Sequence, residues 1–180
     1  MSRRRPAIHS VHIYKDDSAL IARLCGIVSS SLNVGDAVLI IASQPHREDL
    51  VRQLTSAGLI LRPHAREGRF TMLDAQATLE SFMGPNGIDS DRFMASVGVL
   101  LGAAHAAARS RSQGLTVFGE MVALLWARGD KETALQLETL WNDLLGVRAF
   151  HLHCAYPRSA FANTDEEAAV SNTHSHLVTQ

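Results

Sequence analysis

Residues 37–42 read AVLIIA, a continuous apolar run. All six side chains are apolar, so both faces of an extended strand here would be apolar. Such a strand is typical of a parallel sheet that is covered on both sides. Helically spaced apolar residues precede it at Leu20, Leu24 and Val28, and Pro45 behind it is a favourable first-turn residue for a second helix. This region therefore predicts a helix–strand–helix unit.

The same alternation continues toward both ends of the chain. Short β-branched or aromatic runs predict strands, and apolar positions spaced by three or four residues predict helices. Their order predicts an α/β fold with a mostly parallel central sheet and helices on both faces, a three-layer sandwich. The predicted strands are residues 10–14, 37–42, 59–61, 69–73, 116–118 and 150–156, and the predicted helices are residues 17–32, 45–57, 75–82, 90–108, 121–127 and 131–145.

The bulk composition predicts one globular domain with tails. The chain has 180 residues, of which 46% are hydrophobic and 19% charged, enough apolar residues for a sizeable core. A net charge of -1 argues against a large nucleic-acid surface, so no direct nucleic-acid partner is expected. We assign residues 1–8 to an N-terminal lead, 9–157 to the domain and 158–180 to a polar C-terminal tail or linker.

Cysteine usage and hydropathy predict a cytoplasmic protein. Cys25 and Cys154 are too few for a disulfide framework, so both are expected to be thiols in a reducing compartment. Cys154 is interpreted as a buried, inert thiol, with a ligand contact or redox role as the alternative. No apolar core of a signal peptide follows the arginines at 3–5, and no stretch approaches the roughly 18 apolar residues of a membrane span. We therefore expect no membrane association.

The common nucleotide-binding and hydrolase motifs are absent. The chain contains no GxxxxGK[ST] phosphate loop, no GxGxxG, no GxSxG and no HExxH. The turn after the first predicted strand carries Asp16 and Asp17 and no glycine, so it would repel a triphosphate. These absences favour a domain that is not an enzyme, and no cofactor is expected.

The predicted topology points to candidate binding residues. In an open parallel sheet, ligands bind beyond the carboxyl ends of the strands. Glu120, at such an end, either orients a ligand or a water molecule, or stabilises the dipole of the helix that follows. Tyr14 is better placed for this edge than His9, since their odd separation puts them on opposite faces of the first strand. The residues predicted at the edge are 14–17, 43–46, Asp74, Glu120 and Tyr156.

Two further sets of polar residues each share one face of an element. Glu138 and Asn142 are four residues apart in a predicted helix and form either a pocket wall or a buried hydrogen-bonded pair. His151 and His153 point to one face of the last predicted strand, and His12 joins them if the first and last strands are neighbours. Three imidazoles with an open position form a catalytic zinc set, so a metal-dependent hydrolase is an alternative.

Four segments, taken in order, resemble one family. The opening HSVHIY at 9–14 has a His and an aromatic residue five positions later, and GLTVFGEM at 114–121 ends a strand in Gly and an acid. LETLWN at 137–142 contains Glu-x-x-x-Asn, and HCAYP at 153–157 contains Cys-x-Tyr-Pro. Together these segments resemble the MEDS family, the sensory domain named after methanogens, methylotrophs and the regulator DcmR. The resemblance covers residues 9–157.

The resemblance implies a P-loop-less relative of RecA- or KaiC-type domains with a sensory role, for which small hydrocarbon derivatives are proposed ligands. Members are often fused to kinase or DNA-binding modules, and residues 174–178 resemble the segment that follows the domain in kinase-fused members. The family often carries an arginine in the strand before the Gly-acid pair, where this chain has Thr116 and Val117. An anionic contact made by that arginine is therefore not expected here.

The leading hypothesis is a non-catalytic sensory or ligand-binding domain in bacterial signal transduction or transcriptional regulation. We expect it to bind a small organic compound, to act on a histidine kinase or another signalling protein, and to form a homodimer. The alternatives are a degenerate nucleotide-binding RecA-like domain, a metal-dependent hydrolase that uses His12, His151 and His153, and a protein–protein adaptor. The predicted ligand contacts are His9, Tyr14, Glu120, Glu138, Asn142 and Tyr156.

Overall fold

The computed structural model describes residues 7–109 and 114–179, and its centre is a parallel sheet. The strands are β1 (Ile8–Tyr14), β2 (Ala37–Ala42), β3 (Phe70–Asp74), β4 (Met83–Gly84), β5 (Gly87–Ile88), β6 (Leu115–Gly119), β7 (His151–Pro157) and β8 (His176–Thr179). Six of them form one sheet in the order β3-β2-β6-β7-β1-β8, and each neighbouring pair runs parallel. Strands β4 and β5 form a separate antiparallel hairpin.

Helices cover both faces of this sheet. They are α1 (Asp17–Asn33), α2 (Gln44–Ser56), α3 (Leu61–Arg66), α4 (Ala75–Glu80), α5 (Ser90–Ala107), α6 (Met121–Ala127), α7 (Lys131–Val147) and α8 (Thr164–Ser171), with a 3-10 turn at Arg158–Ala160. Helices α1 and α2 pack on one face, and α4 to α8 bury apolar residues against the other. The predicted α/β three-layer sandwich is therefore confirmed. None of the helices in the described ranges is long and apolar enough to cross a membrane.

Strand β2 shows why the apolar run lies at the centre of the fold. Leu39 and Ile41 pack into the core beneath α5, whereas Val38 and Ile40 pack on the opposite side beneath α1 and α2. All four side chains are at most 1% exposed. Burial of such a side chain contributes about 1.5–3 kcal/mol, so only a strand apolar on both faces is stable between two helical layers.

Aspartates begin several of the helices and position the loops at the carboxyl edge of the sheet. Asp16, Asp74 and Asp89 are N-cap residues whose carboxylates accept hydrogen bonds from the backbone N–H groups of the first helical turn. Gly35 follows α1 with a φ of 87°, a left-handed conformation that glycine adopts without a steric penalty. This turn lies between the predicted helix at 17–32 and the predicted strand at 37–42.

The predicted strand at residues 59–61 is wrong, because α3 begins at Leu61. The N–H of Leu59 donates to the carbonyl of Leu54 and closes the end of α2, so it is not available to a strand. Pro63 has no N–H for a sheet ladder and fits the first turn of a helix. The side chains of Leu59 and Leu61 thus pack against the core beside α1 and α2 instead of extending the sheet, and Ile60 is exposed.

Residues 158–179, predicted as a polar tail or linker, contain regular structure that packs on the domain. Strand β8 pairs in parallel with β1, so that Ser10 lies opposite His176. Val170 of α8 is fully buried, and the indole N–H of Trp126 donates to the carbonyl of Ala160 at 3.2 Å. The polar composition concealed these elements because an edge strand and a two-turn helix bury few apolar side chains.

Candidate functional site

The predicted site residues fall into two clusters on opposite faces of the sheet. The carboxyl-edge cluster contains Tyr14 and Glu120 together with Asp17, Ser43 and His46. The buried cluster contains His9, Glu138, Asn142 and Tyr156 together with Cys154 and His174. A single pocket formed by Tyr14, Glu120, Glu138 and Tyr156 is therefore not what the structure contains. The separation follows from strand geometry, since neighbouring residues of a strand face opposite sides.

Glu120 is the centre of the carboxyl-edge cluster. Its Oε2 accepts a hydrogen bond of 2.7 Å from the backbone N–H of Ser43, and its Oε1 is hydrogen-bonded to Nδ1 of His46. Although Glu120 precedes α6, its side chain makes no capping hydrogen bond to that helix. The carboxylate instead joins the end of β6 to the start of α2.

His46 is held between two carboxylates. Its Nε2 lies 3.3 Å from Oδ1 of Asp17, on the far side from Glu120. The hydrogen bond to Glu120 raises the pKa of His46 to about 8 against the opposing effect of burial, and Asp17 adds to the rise. The ring of Tyr14 meets His46 edge-on at 6.5 Å, and burial together with the charges of Glu120 and Asp17 raises the pKa of Tyr14. His46 is therefore a cation at neutral pH.

Asp74, also predicted at this edge, has two protein partners. Its Oδ1 accepts from the N–H of Ala77 and caps α4, while its Oδ2 pairs with Arg47 at 2.7 Å. The carboxyl ends of β2, β3 and β6 are thus connected by charged contacts within the protein. Their arrangement holds the loops that follow these strands.

Glu138 is the centre of the buried cluster and is fully buried in α7. Its Oε1 accepts a hydrogen bond of 2.8 Å from the hydroxyl of Tyr156 and lies 3.3 Å from Nε2 of His174. Its Oε2 lies 3.3 Å from Nε2 of His9 and 3.5 Å from Sγ of Cys154. Burial alone would raise the pKa of Glu138, but the interactions with His174 and His9 together hold it well below its usual range.

The outer nitrogens of both histidines in this cluster are also engaged. Nδ1 of His9 lies 2.8 Å from Oδ1 of Asn142, and Nδ2 of Asn142 donates to the carbonyl of Thr173. Nδ1 of His174 lies 2.8 Å from the carbonyl oxygen of Val170. Glu138 and Asn142 therefore share one helix face, as their spacing predicts, and both contact His9.

The two remaining buried groups of the cluster are neutral. Burial first, and the charge of Glu138 second, raise the pKa of the Cys154 thiol and of the Tyr156 phenol well above their usual values. His174 was not among the predicted contacts, because its helix and strand were assigned to a tail. No spacing rule would have found it, since Glu138, which Nε2 of His174 faces, comes from a distant part of the chain.

A groove lies on the opposite face of the sheet, beside α1. We call this cavity of about 590 Å³ the α1 groove. Its walls are apolar and polar side chains of α1, and its floor is formed by β6 and β7. The lining residues are Ala19, Ala22, Arg23, Gly26, Ile27, Ser30, Ser31, Thr116, His151 and His153.

His12, His151 and His153 lie on this face, as predicted, but the structure does not bring them together as metal ligands. Among the described residues, the one set of three or more His, Cys, Asp or Glu whose ligand atoms approach within 4.8 Å is in the buried cluster. Both ring nitrogens of His12 lack a hydrogen-bond partner within the described chain. Burial, aided by Arg23 for His12 and by His151 for His153, lowers the pKa of both to about 4.

The fold and these clusters define a P-loop-less α/β domain whose parallel sheet carries polar groups on both faces. The chain belongs to the MEDS family, the methanogen/methylotroph, DcmR sensory domain, whose family model matches residues 8–175. The resemblance identified in the sequence is thus confirmed at the level of the family. Among curated proteins, none matches the chain. The matched range extends beyond Pro157 and includes His174.

Proposed function

We propose that this chain is a non-catalytic sensory domain that binds a small organic compound in the α1 groove. The observation that carries the proposal is the cavity of about 590 Å³, a size within the roughly 300–1,000 Å³ common for small-molecule sites. Membership of a sensory family supports the general role.

The chemistry of the groove suggests the class of compound. Ile27 and Ala19 of α1 offer apolar contact, whereas Thr116, His151 and His153 on the floor offer hydrogen-bonding groups. Arg23 is the fixed cation of the lining, and the pKa of about 4 leaves His153 neutral at physiological pH. We propose a short aliphatic compound with a carboxylate, because a guanidinium pairs well with that group and the apolar wall accommodates a short chain.

The residues first predicted as ligand contacts have supporting roles in this proposal. Tyr14 and Glu120 position the carboxyl-edge loops through His46. His9, Glu138, Asn142 and Tyr156 lie in the interior beneath α7, where they hold β1 and β7 against that helix.

The alternatives receive less support. A nucleotide phosphate at the first turn would compete with Asp16, which already caps α1 through the N–H of Ala19. A hydrolase built on His12, His151 and His153 would need a converging set of ligand atoms, and these three do not converge. The distant relationship to RecA- or KaiC-type domains stays a prediction, with which the parallel sheet is compatible.

A sensory domain requires a partner that responds to its state. We propose a histidine kinase or another signalling protein as that partner, and a homodimer as the working form. A cytoplasmic location is part of the proposal, in keeping with Cys25 and Cys154 as free thiols. No direct contact with nucleic acid or membrane is proposed.

Ligand binding is tested by thermal unfolding of the full chain with acetate, propionate, butyrate and succinate, and with the corresponding amides as uncharged probes. We expect at least one carboxylate to raise the Tm in a saturable, concentration-dependent manner, and its amide to have little effect. The variant Arg23→Gln removes the cation of the groove and should abolish the shift. Arg52→Gln changes an exposed arginine of α2 and serves as the matched control.

Two results would refute the proposal. One is a Tm that no carboxylate of the series raises at millimolar concentration. The other is a saturable shift that Arg23→Gln leaves intact, because binding would then occur outside the α1 groove. Calorimetric titration of the same variants separates binding from a general effect of salt on stability.

A further inference from the structure

We propose that His9, Glu138, Cys154 and His174 form a binding site for one Zn²⁺ ion, on the face of the sheet opposite the α1 groove. These residues come from β1, α7, β7 and the turn between α8 and β8. One ligand atom from each lies within 4.8 Å of the other three. The site is independent of the proposed sensory ligand, because it shares no residue with the groove.

The spacing of the ligand atoms matches a zinc centre. Nε2 of His9 lies 3.3 Å from Oε2 of Glu138 and 3.4 Å from Sγ of Cys154, and that sulfur lies 3.5 Å from the same oxygen. Zinc bonds of roughly 2.0–2.3 Å in a tetrahedron hold their ligand atoms roughly 3.3–3.7 Å apart. Three protein atoms therefore already have the edge lengths of a coordination tetrahedron, and His174 approaches Glu138 to 3.3 Å from another side.

The outer hydrogen bonds direct the correct nitrogen of each imidazole inward. Asn142 donates through Nδ2 to the carbonyl of Thr173, so its Oδ1 must face His9, whose Nδ1 therefore carries a proton. Nδ1 of His174 faces the carbonyl of Val170 and must also be protonated. In the neutral form of each ring, the lone pair is then on Nε2, which points at Glu138. Zinc sites in proteins commonly use such second partners to fix the histidine tautomer.

The arrangement is poorly satisfied as a hydrogen-bonded network alone. The single S–H proton of Cys154 can bond to the carboxylate or to His9, but not to both. Nε2 of His174 is buried and makes no hydrogen bond within the described chain, although it lies 3.3 Å from Oε1 of Glu138. Neutral imidazoles would thus direct lone pairs at a carboxylate, which is unfavourable in a buried site.

A divalent metal ion resolves the charge balance of this buried site. Two imidazolium rings beside one carboxylate would leave an unpaired positive charge where Glu138 is fully buried. A single imidazolium would balance the charge but would leave Nε2 of the other ring facing Glu138 with a lone pair. One Zn²⁺ with a thiolate, a carboxylate and two neutral imidazoles sums to zero charge. Binding releases the thiol proton of Cys154 to solvent, as metal binding by cysteine requires. Thiolate and imidazole ligands favour zinc over Mg²⁺ or Ca²⁺, which prefer oxygen.

Four protein ligands in a closed interior indicate a structural metal and not a catalytic one. Three of the ligands are at most 3% exposed, and the side chain of His174 is fully buried. His174 lies two residues before β8, so the ion would attach the C-terminal segment, residues 164–179, to the centre of the domain. Zinc occupancy would then control how firmly β8 pairs with β1.

Metal binding is tested on the purified full chain by elemental analysis and by native mass spectrometry after reconstitution with Zn²⁺. We expect about one zinc per chain. Replacement by Co²⁺ should give a thiolate-to-cobalt charge-transfer band and the intense d–d bands of a tetrahedral centre. Cys154→Ser should lose the charge-transfer band, while Cys25→Ser, the matched control at the other cysteine, should retain it.

Variants of His174, and of Asn142, which is hydrogen-bonded to His9, extend the test. His174→Gln should weaken zinc binding at least tenfold. Asn142→Ala should weaken it roughly 10–100-fold, because Nδ1 of His9 would lose the hydrogen-bond acceptor that keeps its proton on that nitrogen. His176→Gln, an exposed neighbour, is the control for the former. Hydrogen exchange in residues 164–179 should rise when zinc is withheld.

The wild-type measurements decide the matter even if a variant fails to fold. A reconstituted chain that retains less than a tenth of an equivalent of zinc would overturn the proposal. A cobalt complex without a thiolate band, or one unchanged by Cys154→Ser in a folded variant, would overturn it equally. Loss of carboxylate binding at the α1 groove would refute the proposed sensory ligand but leave these metal measurements unaffected.

Discussion

Nε2 of His174 lies 3.3 Å from Oε1 of Glu138, and this contact joins the last part of the described chain to the middle of α7. The next residue supports the same junction. The N–H and the hydroxyl of Ser175 both donate to the carbonyl of His9, and the N–H of His9 donates to Oγ of Ser175. The C-terminal segment therefore contacts the domain in two ways. Its side chains contact α7, and its backbone pairs with β1.

If the C-terminal segment is part of the folded unit, its buried apolar residue must contribute to stability. Val170→Ala removes two methyl groups from a fully buried site, so we expect a loss of about 2 kcal/mol in the free energy of unfolding. Urea unfolding monitored by circular dichroism measures it. Val147→Ala, at a position 72% exposed, is the control and should change stability by less than about 0.5 kcal/mol. Equal, small effects of both substitutions would mean that the segment is not docked.

The apolar centre of β2 gives a large expected effect of a single truncation. Ile41→Ala leaves a cavity in a fully buried position between β3 and β6, and should cost about 2–5 kcal/mol of unfolding free energy. Ile60→Ala makes the same chemical change at a position 72% exposed and should be nearly neutral. Similar midpoints of chemical unfolding for the two variants would contradict the assignment of β2 to the core.

The contact between His46 and Glu120 predicts a pH dependence of stability. Because the folded pKa of His46 is raised from 6.5 to about 8, its contribution is fully present below pH 6.5 and is lost as the pH rises through about 8. We expect a loss of about 1–2 kcal/mol in unfolding free energy between pH 6 and pH 9 from this group. Asp17 and Tyr14 are the other titratable groups that contact the ring.

Glu120→Gln tests this linkage, because the amide keeps the shape of the side chain but removes the charge that stabilises the imidazolium. The variant should show a flatter stability profile across this pH range than the wild type. Glu48→Gln, an exposed acid on α2, should leave the profile unchanged. Direct titration of His46 by NMR provides a second readout, and a midpoint at or below 6.5 in the wild type would contradict the assigned contact.

The hydroxyl of Tyr156, on β7, donates to Glu138 on α7. Tyr156→Phe removes a buried hydrogen bond of 2.8 Å to the carboxylate, so we expect a loss of about 1–3 kcal/mol in unfolding free energy. Tyr14→Phe, at the other tyrosine of the chain, should cost less because Tyr14 contacts His46 through its ring edge. A neutral Tyr156→Phe would indicate that the phenol does not bond to Glu138 in solution.

Local sequence patterns were sufficient for most of the elements. AVLIIA predicted a central parallel strand, and the helices predicted to begin at residues 17, 75 and 90 begin there in the structure. These patterns gave wrong predictions where an apolar run fits either a helix or a strand, and where a segment contains few apolar residues. Residues 59–61 are apolar but end a helix and begin another, and 164–179 are polar yet contribute a helix and an edge strand.

The candidate site was only partly predictable, for a reason of geometry. Strand parity correctly separated His9 from Tyr14 and placed His151 with His153, because alternation along a strand is a local property. Parity cannot specify which helix covers a face. The prediction therefore combined Glu120 and Glu138 in one pocket, although the sheet lies between their clusters.

Local sequence patterns predicted the alternation of strands and helices, the apolar centre of the sheet and the family to which the chain belongs. These properties depend on periodicity and short motifs, each of which is contained within a single segment of the chain. The cluster of His9, Glu138, Cys154 and His174 is recognisable only in the folded chain. The cluster forms because β7, β1 and β8 pair in parallel beneath α7. Contacts between segments so distant in the chain produce no periodic pattern in the sequence.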